Sequence, residues 1–528
     1  MINTVFDSDI GIDDDSIDLQ PDALGLTGFG VDLFRFQLEG VRYGLEAQNF
    51  INGDQMGLGK TLQALAICYS LGLSRFIVMC PAAVKLNWYR EIKRANPLWV
   101  TSIWDAKKGS SNANVIIINY DNLKKRVIEL IDFDAEAIVF DEIHYLKSGK
   151  AQRTQAAKTV AKPVTTLIGL SGTAMLSRPS ELIVPLDIIK RLDDFGGWFA
   201  FAKRYCQLYK RKVWIKPKGR HAFQKEIWDY TGAANLNELH DRLTARCFVR
   251  RLKTEVLSDM PVKQRAQVTF EITNKAEYKK AAEDVAGYLA LCAVEEKAFT
   301  ESLKYLSPSE QRDRIETRKA SVEEKTKAAE KLMLIETLKQ LAVEGKMSEA
   351  KEWIQSFIDA GEKLVVFVNH IKFQDELIAH FPTAARIVAK DSLRNRQINI
   401  DSKFKVDENC QLMIASLKAG GTGIDGLQEV CANLAFLEFD WVPAVHLQAE
   451  DRLHRMLQAR QVTAYYLVAE NTIEETIQDL LAKKQADCDA VLDGMSEAIT
   501  TSVFDDLIDE LTSKGKVTSK GGKRVKGR

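Results

Sequence analysis

A short segment, Gly57 to Thr61 (GLGKT), has residue types suited to holding phosphate, and an amphipathic helical pattern follows it. Glycines let backbone N–H groups wrap phosphate oxygens, and a helix start adds partial positive charge. In such a loop Lys60 contacts the β- and γ-phosphates, and the Thr61 hydroxyl binds Mg²⁺. The strict pattern has glycine at position 54, where this sequence has aspartate. The segment predicts a nucleotide-phosphate site, and a glycine turn that only caps a helix is the alternative.

Two adjacent carboxylates, Asp141 and Glu142, directly follow the apolar run AIVF at residues 137–140. A carboxylate at a strand end can hold Mg²⁺, usually through water, and its neighbour can orient and deprotonate an attacking water. Taken alone, an Asp-Glu pair after a strand is more often part of a solvated loop. Its position about eighty residues after the phosphate loop makes a catalytic pair the better interpretation.

Two arginines, Arg452 and Arg455, lie three positions apart in the segment QAEDRLHR at residues 448–455. Residues at this spacing share one face of a helix. One or both guanidinium groups could therefore reach a γ-phosphate bound by another lobe and stabilise charge in the transition state. An ion-paired helix is the alternative, because Glu450 and Asp451 immediately precede Arg452.

The elements that must position these side chains are indicated by short, apolar, β-branched runs. Runs of this length are typical of strands buried on both faces of a parallel sheet, and helical patterns between them predict doubly wound α/β lobes. The runs form two groups, at about 50–175 and 360–470, while 185–255 and 278–357 predict helices. The predicted strands are Phe76–Cys80, Val115–Ile118, Ala137–Phe140, Leu364–Val368, Leu412–Ala415, Leu434–Phe439 and Ala464–Val468.

Composition narrows the class of protein. The 528 residues include 73 Lys and Arg and 73 Asp and Glu, so the formal net charge is zero. This balance argues against a simple basic protein that coats nucleic acid. The eight cysteines contain no C-x-x-C pair, which predicts buried, reduced thiols. No apolar run approaches the ~20 residues that span a bilayer, and the acidic N-terminus is unlike a signal peptide, so an intracellular location is expected.

One basic stretch with interleaved aromatic residues lies in the first helical region. It could contact nucleic-acid phosphates, or it could be a solvated basic helix and loop. Its members are Lys203, Arg204, Lys210, Arg211, Lys212, Lys216, Lys218 and Arg220, with Tyr205, Tyr209 and Trp214 between them.

Taken in order, these motifs resemble those of the Swi/Snf-type DNA translocases of helicase superfamily two, from about Leu33 to Ile477. That family's first motif also carries aspartate at the position of Asp54. The resemblance extends to LFRFQLEG at 33–40, SGT at 171–173 and SLKAGGTGID at 416–425. The runs QAEDRLHRMLQ and AYYLVAENTIEETI are most similar to the annealing-helicase subgroup, whose members rewind DNA and remodel forks.

The resemblance implies a role for each matching residue. The implied catalytic residues are Lys60, Asp141, Glu142 and two arginine fingers, Arg452 and Arg455. ATP is expected to contact Gln37 as the adenine reader, together with Gly57, Leu58, Gly59, Lys60, Thr61, Gly423 and Asp425. Thr61 and Asp141 are expected to hold Mg²⁺. Coupling of nucleotide state to the second lobe is expected from Ser171, Gly172, Thr173 and Gln448.

The implied architecture is α/β, with two RecA-like parallel-sheet lobes of the P-loop NTPase class, helical insertions, and ATP between the lobes. An acidic segment (1–30) precedes lobe 1 (31–260), which carries a helical insertion at about 180–255. A linker and the helical insertion of lobe 2 are expected at 261–355, and lobe 2 at 356–490. A C-terminal helix and a basic, disordered tail are expected at 491–528.

The expected function is ATP-dependent translocation on double-stranded DNA, coupled to remodelling or reannealing of forked or branched DNA or to displacement of bound protein. The alternatives are a strand-separating helicase and a nucleotide-gated scaffold that binds DNA for a partner. ATP, Mg²⁺ and DNA, contacted mainly through its phosphates, are the expected ligands, and no membrane contact is expected. A bacterial or phage-infected cytoplasm is favoured, or the nucleus if the source is eukaryotic.

Overall fold

The computed structural model describes residues 20–518, apart from several short segments. Within the described residues the chain forms two parallel sheets, each covered by helices, and a separate two-stranded hairpin. The segments left undescribed are 111, 173–178, 216–222, 231, 258–259, 308–309, 312–313, 316, 319–320, 389–390, 418–425, 457 and 493–502.

The first lobe alternates helices with strands. In chain order its elements are α1 (Arg35–Ala47), β1 (Asn49–Asn52), α2 (Lys60–Ser70), β2 (Phe76–Cys80), α3 (Lys85–Ala95), β3 (Thr101–Trp104), β4 (Val115–Asn119), α4 (Leu123–Asp132), β5 (Ala137–Asp141), α5 (Gln152–Ala161), β6 (Thr166–Leu170), α6 (Ile183–Ile188), α7 (Gly197–Tyr205), β7 (Tyr209–Ile215), β8 (Phe223–Asp229), α8 (Leu236–Arg246), β9 (Phe248–Val249) and α9 (Lys253–Val256).

Seven of these strands form one parallel sheet in the order β3-β4-β2-β5-β6-β1-β9. Successive side chains of β2 enter opposite faces: Ile77 and Met79 pack in one buried cluster, and Phe76 and Val78 in the other. Every residue of β2, β4 and β6 is buried. Burial on both faces is why these strands are continuous apolar runs.

The second lobe has the same architecture and a six-stranded parallel sheet. In chain order its elements are β10 (Lys263–Phe270), α10 (Lys275–Leu303), α11 (Val322–Asp359), β11 (Leu364–Phe367), α12 (Ile371–His380), β12 (Ala385–Ile387), α13 (Leu393–Ile398), β13 (Leu412–Ala415), β14 (Asn433–Phe436), α14 (Pro443–Glu450), β15 (Val462–Ala469), α15 (Ile473–Leu492) and α16 (Val503–Thr518). The strand order is β10-β15-β14-β11-β13-β12.

The two-lobe α/β fold and all seven predicted strands are confirmed, with shifts of a few residues at their ends. The prediction of helices throughout 185–255 was wrong at 209–229, where β7 and β8 pair as an antiparallel hairpin. Residues 210–212 of the basic stretch therefore lie on a strand, while Lys216, Lys218 and Arg220 lie outside the described residues. Aromatic and β-branched residues favour strands once a partner strand is available, which a local charge pattern does not reveal.

The prediction of buried thiols is confirmed for six of the seven cysteines that the structure describes; all seven are free, and Cys292 is half-buried. Among the described residues, no helix is long and apolar enough to cross a membrane.

A buried ion pair attaches α11 to the sheet of the second lobe. The Lys346 ammonium donates to Glu474 Oε2 at 2.6 Å and also to the backbone carbonyl of Leu467 on β15. Glu474 accepts a second hydrogen bond from the N–H of Ala469, at 2.8 Å. Burial lowers the pKa of Lys346, and the charge of Glu474 opposes that shift. The pair therefore holds the long helix, the last strand and the start of α15 together.

We expect Lys346→Ala to destabilise the second lobe by about 3–5 kcal/mol, because it leaves a buried carboxylate without its cation. Urea unfolding, with hydrogen exchange of β15 as the local probe, measures this loss. The matched control is Lys275→Ala, which removes a surface ion pair with Glu271 in which both side chains are 66% exposed. Equal effects of the two variants would contradict the importance of the buried pair.

Candidate active site

A cleft between the two lobes contains most of the side chains with predicted roles. The first lobe contributes loops that follow β1, β2 and β5, at the carboxyl ends of parallel strands, where α/β sheets bind ligands. The second lobe contributes the end of α14 and the turns after it. The cleft is lined by Met56, Gly57, Gly59, Lys60, Thr61, Pro81, Val84, Asn87, Trp88, Asp141, Glu142, His144, Tyr145, Gln448, Asp451, Arg452 and Arg455.

The phosphate loop runs from β1 into α2, as the sequence predicts. Gly57 and Gly59 have φ of 88° and 74°, in the left-handed region that glycine tolerates, and α2 begins at Lys60. A Cβ on Gly57 would lie 2.9 Å from Arg455 Cβ, and one on Gly59 would lie 2.3 Å from Gln37 Nε2. These glycines therefore allow both the loop's backbone shape and its close approach to neighbouring segments.

Two side chains with predicted ATP contacts engage the phosphate loop itself. Lys60 Nζ donates to the carbonyls of Asp54 and Gln55, at 2.6 and 3.3 Å. Burial lowers the pKa of Lys60, with Glu142 foremost among the carboxylates that oppose the shift. Gln37 Nε2 donates to the Leu58 carbonyl at 3.1 Å. The side chains of Lys60 and Gln37 are therefore held in place by hydrogen bonds to the phosphate loop.

Asp54 is buried beneath the phosphate loop, where its carboxylate pairs with the guanidinium group of Arg251. Its carboxylate accepts from Arg251 Nε at 3.0 Å and from Gln63 Nε2 at 2.9 Å. Arg251 also donates to the Phe36 carbonyl, and Asn52 donates to Gln63 Oε1 at 3.0 Å. This network joins α1, β1, α2 and the segment before α9. It explains an aspartate where the strict loop has glycine, and sequence reasoning missed it.

We expect Asp54→Gly, which restores the strict loop pattern, to destabilise the first lobe by about 3–5 kcal/mol, because Arg251 becomes a buried, unpaired charge. Thermal unfolding measures the loss, and the double variant Asp54→Gly/Arg251→Met is the control. Removal of both partners should cost less than the sum of the two single changes. If Asp54→Gly unfolds at the same temperature as the wild type, Asp54 is an ordinary loop residue.

The two carboxylates after β5 lie in different electrostatic environments. Trp88 Nε1 donates to Asp141 Oδ2 at 2.7 Å, and the Tyr120 hydroxyl donates to the Asp141 backbone carbonyl at 2.6 Å. Burial, assisted by the neighbouring charge of Glu142, raises the pKa of Asp141 to about 6. The side chain is therefore oriented by Trp88 and favours the presence of a nearby cation.

Glu142 adopts a left-handed backbone with φ of 51°, a conformation that is costly for a residue with a side chain. His144 Nδ1 lies 3.2 Å from Glu142 Oε2. Burial raises the pKa of Glu142, but His144, Lys60 and Arg452 together outweigh burial and lower it. The carboxylate is therefore ionised at neutral pH, which is the state a general base requires.

The predicted coupling residues that the structure describes connect these loops. Ser171 Oγ lies 3.3 Å from His144 Nδ1, and the Ser171 N–H donates to the Asn52 carbonyl at 3.0 Å. A Cβ on Gly172 would lie 2.4 Å from Met56 Cγ, beside the phosphate loop. Gln448 lines the cleft from the second lobe. Thr173, Gly423 and Asp425 lie outside the described residues.

The arginines face the cleft, but not from a helix. Helix α14 ends at Glu450, and Arg452 and Arg455 lie in the turns that follow. The prediction that both arginines share a helix face was therefore wrong, since the Arg452 N–H bonds to the Ala449 carbonyl three residues back, at 3.2 Å. Arg452 lies close enough to Glu142 to lower its pKa, and Arg455 borders the phosphate loop.

Two acidic residues at the end of α14 pair with cations from distant segments. Glu450 accepts two hydrogen bonds from Arg265, at 2.8 and 2.9 Å, and its Oε2 lies 2.7 Å from Lys263 Nζ. Asp451 Oδ1 accepts from Lys253 Nζ at 2.8 Å. Both acids are buried and pair with cations from distant segments, so the ion pairing named as the alternative is present beside arginines that face the cleft.

Lys253 bridges the two lobes, and sequence reasoning missed this role. Its N–H donates to Gln55 Oε1 beside the phosphate loop, at 2.8 Å. Its ammonium donates to Asp451 and to the His454 carbonyl, the latter at 2.6 Å. Burial lowers the pKa of Lys253 to about 8, although Asp451 opposes that shift. The available signal in the sequence was Lys253 itself, two positions after Arg251. Its partner, Asp451, lies 198 positions away along the chain.

We name the turns that carry Arg452 and Arg455 the arginine turn. Glu450, which directly precedes it, makes a pH-dependent contribution to stability. Burial opposes ionisation, but Lys263 and Arg265 lower the pKa of Glu450 from 4.5 to about 2. A depressed acid stabilises the fold above its unfolded pKa, and this stabilisation is lost as the pH falls through the folded value. We expect wild-type stability to fall more steeply between pH 4.5 and about 2 than that of Glu450→Gln, which should already be less stable at pH 7.

Acid unfolding monitored by circular dichroism measures both curves. Glu301→Gln, a change at an exposed position of α10, is the matched control and should keep the wild-type slope. Parallel curves for wild type and Glu450→Gln would contradict this role of Glu450.

Two parallel-sheet lobes, with a phosphate loop in one and arginines of the other facing it, define a two-lobe P-loop NTPase. The family model described as "SNF2-related domain" matches residues 36–342, which is more than half of the chain. The chain belongs to the SNF2-related family, which confirms the resemblance drawn from its motifs.

Individual relatives agree with this assignment. The "SWI/SNF-related matrix-associated actin-dependent regulator of chromatin subfamily A-like protein 1" of Xenopus tropicalis is 30% identical over 86% of this chain and 44% of its own. The human "DNA annealing helicase and endonuclease ZRANB3" is 28% identical over 92% of this chain and 42% of its own. The chain thus spans less than half the length of these curated relatives.

Among solved structures, a "Sulfolobus solfataricus SWI2/SNF2 ATPase core in complex with dsDNA" is 20% identical. The match covers 88% of this chain and 94% of that one, with a TM-score of 0.38.

Proposed function

We propose that this chain is a DNA-dependent ATPase that translocates on double-stranded DNA and uses ATP hydrolysis to remodel or reanneal forked or branched DNA, or to displace bound protein. The observation that carries the ATPase proposal is the shared cleft, in which Lys60 and Glu142 of one lobe face Arg452 and Arg455 of the other. The DNA substrate is supported by membership of the SNF2-related family and by the relative described as a DNA annealing helicase.

In this proposal the loop from Gly57 to Thr61 wraps the ATP phosphates with backbone N–H groups, and Lys60 contributes positive charge. Glu142 accepts the proton of the attacking water, because its ionised state is favoured in the cleft. Arg452 and Arg455 stabilise the negative charge that develops on the phosphoryl oxygens. Since the arginines come from the second lobe, hydrolysis requires the cleft to be closed.

The residues present also fit Mg²⁺. In nucleotide sites this ion is held by one or two protein oxygens together with substrate phosphates. The Thr61 hydroxyl and the Asp141 carboxylate supply such oxygens at the same cleft, and Trp88 orients the carboxylate. When bound, Mg²⁺ neutralises charge on the phosphates.

Translocation would follow if each lobe holds the DNA backbone in turn while the cleft opens and closes. Phosphate contacts are independent of sequence and sensitive to salt, which suits a motor that moves along any DNA. The protein would act where DNA is found, in the nucleus of a eukaryotic cell or in a bacterial or phage-infected cytoplasm. The curated relatives named above are vertebrate proteins, so they give no support to the bacterial or phage source.

We expect ATP hydrolysis to be stimulated strongly by duplex or forked DNA, and less by single-stranded DNA or RNA. Glu142→Gln should lower kcat by about a hundredfold or more, because a general base contributes ~10²–10⁴ to the rate, while nucleotide binding persists. Lys60→Ala should weaken both binding and turnover. Glu46→Gln, at an exposed position of α1, is the matched control and should behave as wild type.

The rival functions give different results in the same assay. Stimulation by single strands or RNA alone would replace the proposal with a strand-separating helicase. No turnover on any nucleic acid would leave a nucleotide-gated scaffold.

A further inference from the structure

The hairpin β7–β8 belongs to the sheet of neither lobe. It forms a separate two-stranded sheet, with the register running from Tyr209 opposite Asp229 to Ile215 opposite Phe223. Its base contacts α7, since the rings of Trp198 and Tyr230 meet at 5.6 Å between centroids. The hairpin is thus a distinct feature attached to the first lobe.

The composition of residues 209–230 differs from that of the whole chain. The segment YKRKVWIKPKGRHAFQKEIWDY holds seven Lys and Arg residues, two acids and five Phe, Trp and Tyr residues, whereas the whole chain has no net charge. Two residues of the adjoining basic stretch are already engaged: Arg204 pairs with Glu238, and the buried Tyr205 donates to the same carboxylate at 2.9 Å. The segment 209–230 therefore holds the remaining basic residues of the stretch, apart from Lys203.

Exposed aromatic rings cluster where the hairpin meets α7. Phe199 is 53% exposed and meets Trp228, which is 40% exposed, edge to face at 5.8 Å between ring centroids. Tyr230 is 37% exposed and meets Trp198 of α7 at 5.6 Å between ring centroids. Lys210 Nζ lies 5.1 Å from the centroid of the Trp228 ring. We name this surface, formed by Phe199, Trp228 and Tyr230, the aromatic platform.

We propose that the aromatic platform binds unpaired nucleotides of branched DNA by stacking, an inference that rests on the proposed action of this chain on DNA. Exposed aromatic rings stack on nucleobases without sequence preference, while neighbouring lysines and arginines attract the phosphates. Within a duplex each base is covered by its neighbours, so the rings can reach bases only where the strands part. The excess of basic residues favours a nucleic acid over an apolar protein surface as the occupant.

The surface charges fit this occupant. Lys210 forms an ion pair with Glu226 at 3.7 Å, and both side chains are largely exposed. An exposed pair of this kind contributes little to stability, so a phosphate can replace the carboxylate at small cost. The platform would therefore distinguish a fork or a single-stranded branch from a plain duplex.

The test uses the whole chain with the double variant Phe199→Ala/Trp228→Ala. A single-stranded oligonucleotide containing 2-aminopurine reports stacking by fluorescence in the absence of ATP. We expect binding to weaken about fivefold or more, because one stacked base is worth at least ~1 kcal/mol. ATP hydrolysis should then no longer distinguish forked from blunt duplex DNA, while stimulation by blunt duplex stays at the wild-type level.

Three controls keep the test decisive. Tyr305→Ala removes an aromatic ring that is 93% exposed elsewhere and should change nothing. Trp228→Phe keeps a ring on the hairpin and should retain most of the binding. Phe199→Ala alone changes α7 and leaves both hairpin strands intact, so it remains informative if the double variant unfolds.

Unchanged oligonucleotide binding by Phe199→Ala and by a folded double variant would overturn the platform. Equal loss on blunt duplex and single strands would also overturn it, since that pattern indicates general phosphate contacts. If the wild-type ATPase ignores all DNA, the proposed function fails instead, and the fluorescence assay still decides whether the platform binds bases.

Discussion

The ion pair between Lys253 and Asp451, at 2.8 Å, ties the segment beside the phosphate loop to the turn that carries the two arginines. The distance between the phosphate loop and that turn sets the chemistry of the cleft. Two positions earlier, Arg251 binds Asp54 beneath the phosphate loop. Burying a charge is costly unless it is paired, so each pairing strongly favours one placement of its loop. A segment of three residues thus fixes the phosphate loop on one side and the arginine turn on the other.

Protonation in the cleft depends on the same spacing. Arg452 is one of the charges that keep the pKa of Glu142 low, together with His144 and Lys60. Arg452 is the one of these charges that comes from the second lobe, so the electrostatic environment of Glu142 depends on the position of that lobe.

Much of the fold and of the candidate site could be predicted from the sequence, and the features that could not share a physical cause. Phe76–Cys80 and Asp141 were predictable because a strand buried on both faces is a local apolar run and its end is a local position. The roles of Asp54 and Lys253 depend on partners 197 and 198 positions away. Strand β10 was missed because its residues are mostly exposed or half-buried, so its pairing with β15 leaves no apolar run.

The long helix α11 is attached to the second lobe by contacts that do not involve the cleft. Lys346 pairs with Glu474 and holds α11 to the second sheet. Because a buried, paired charge resists separation, α11 moves with that lobe. The hairpin contacts α7 of the first lobe through the edge-to-face pair of Trp228 and Phe199. Opening or closing of the cleft would therefore displace α11 relative to the hairpin, so that a change at the phosphates becomes a displacement of two other surfaces.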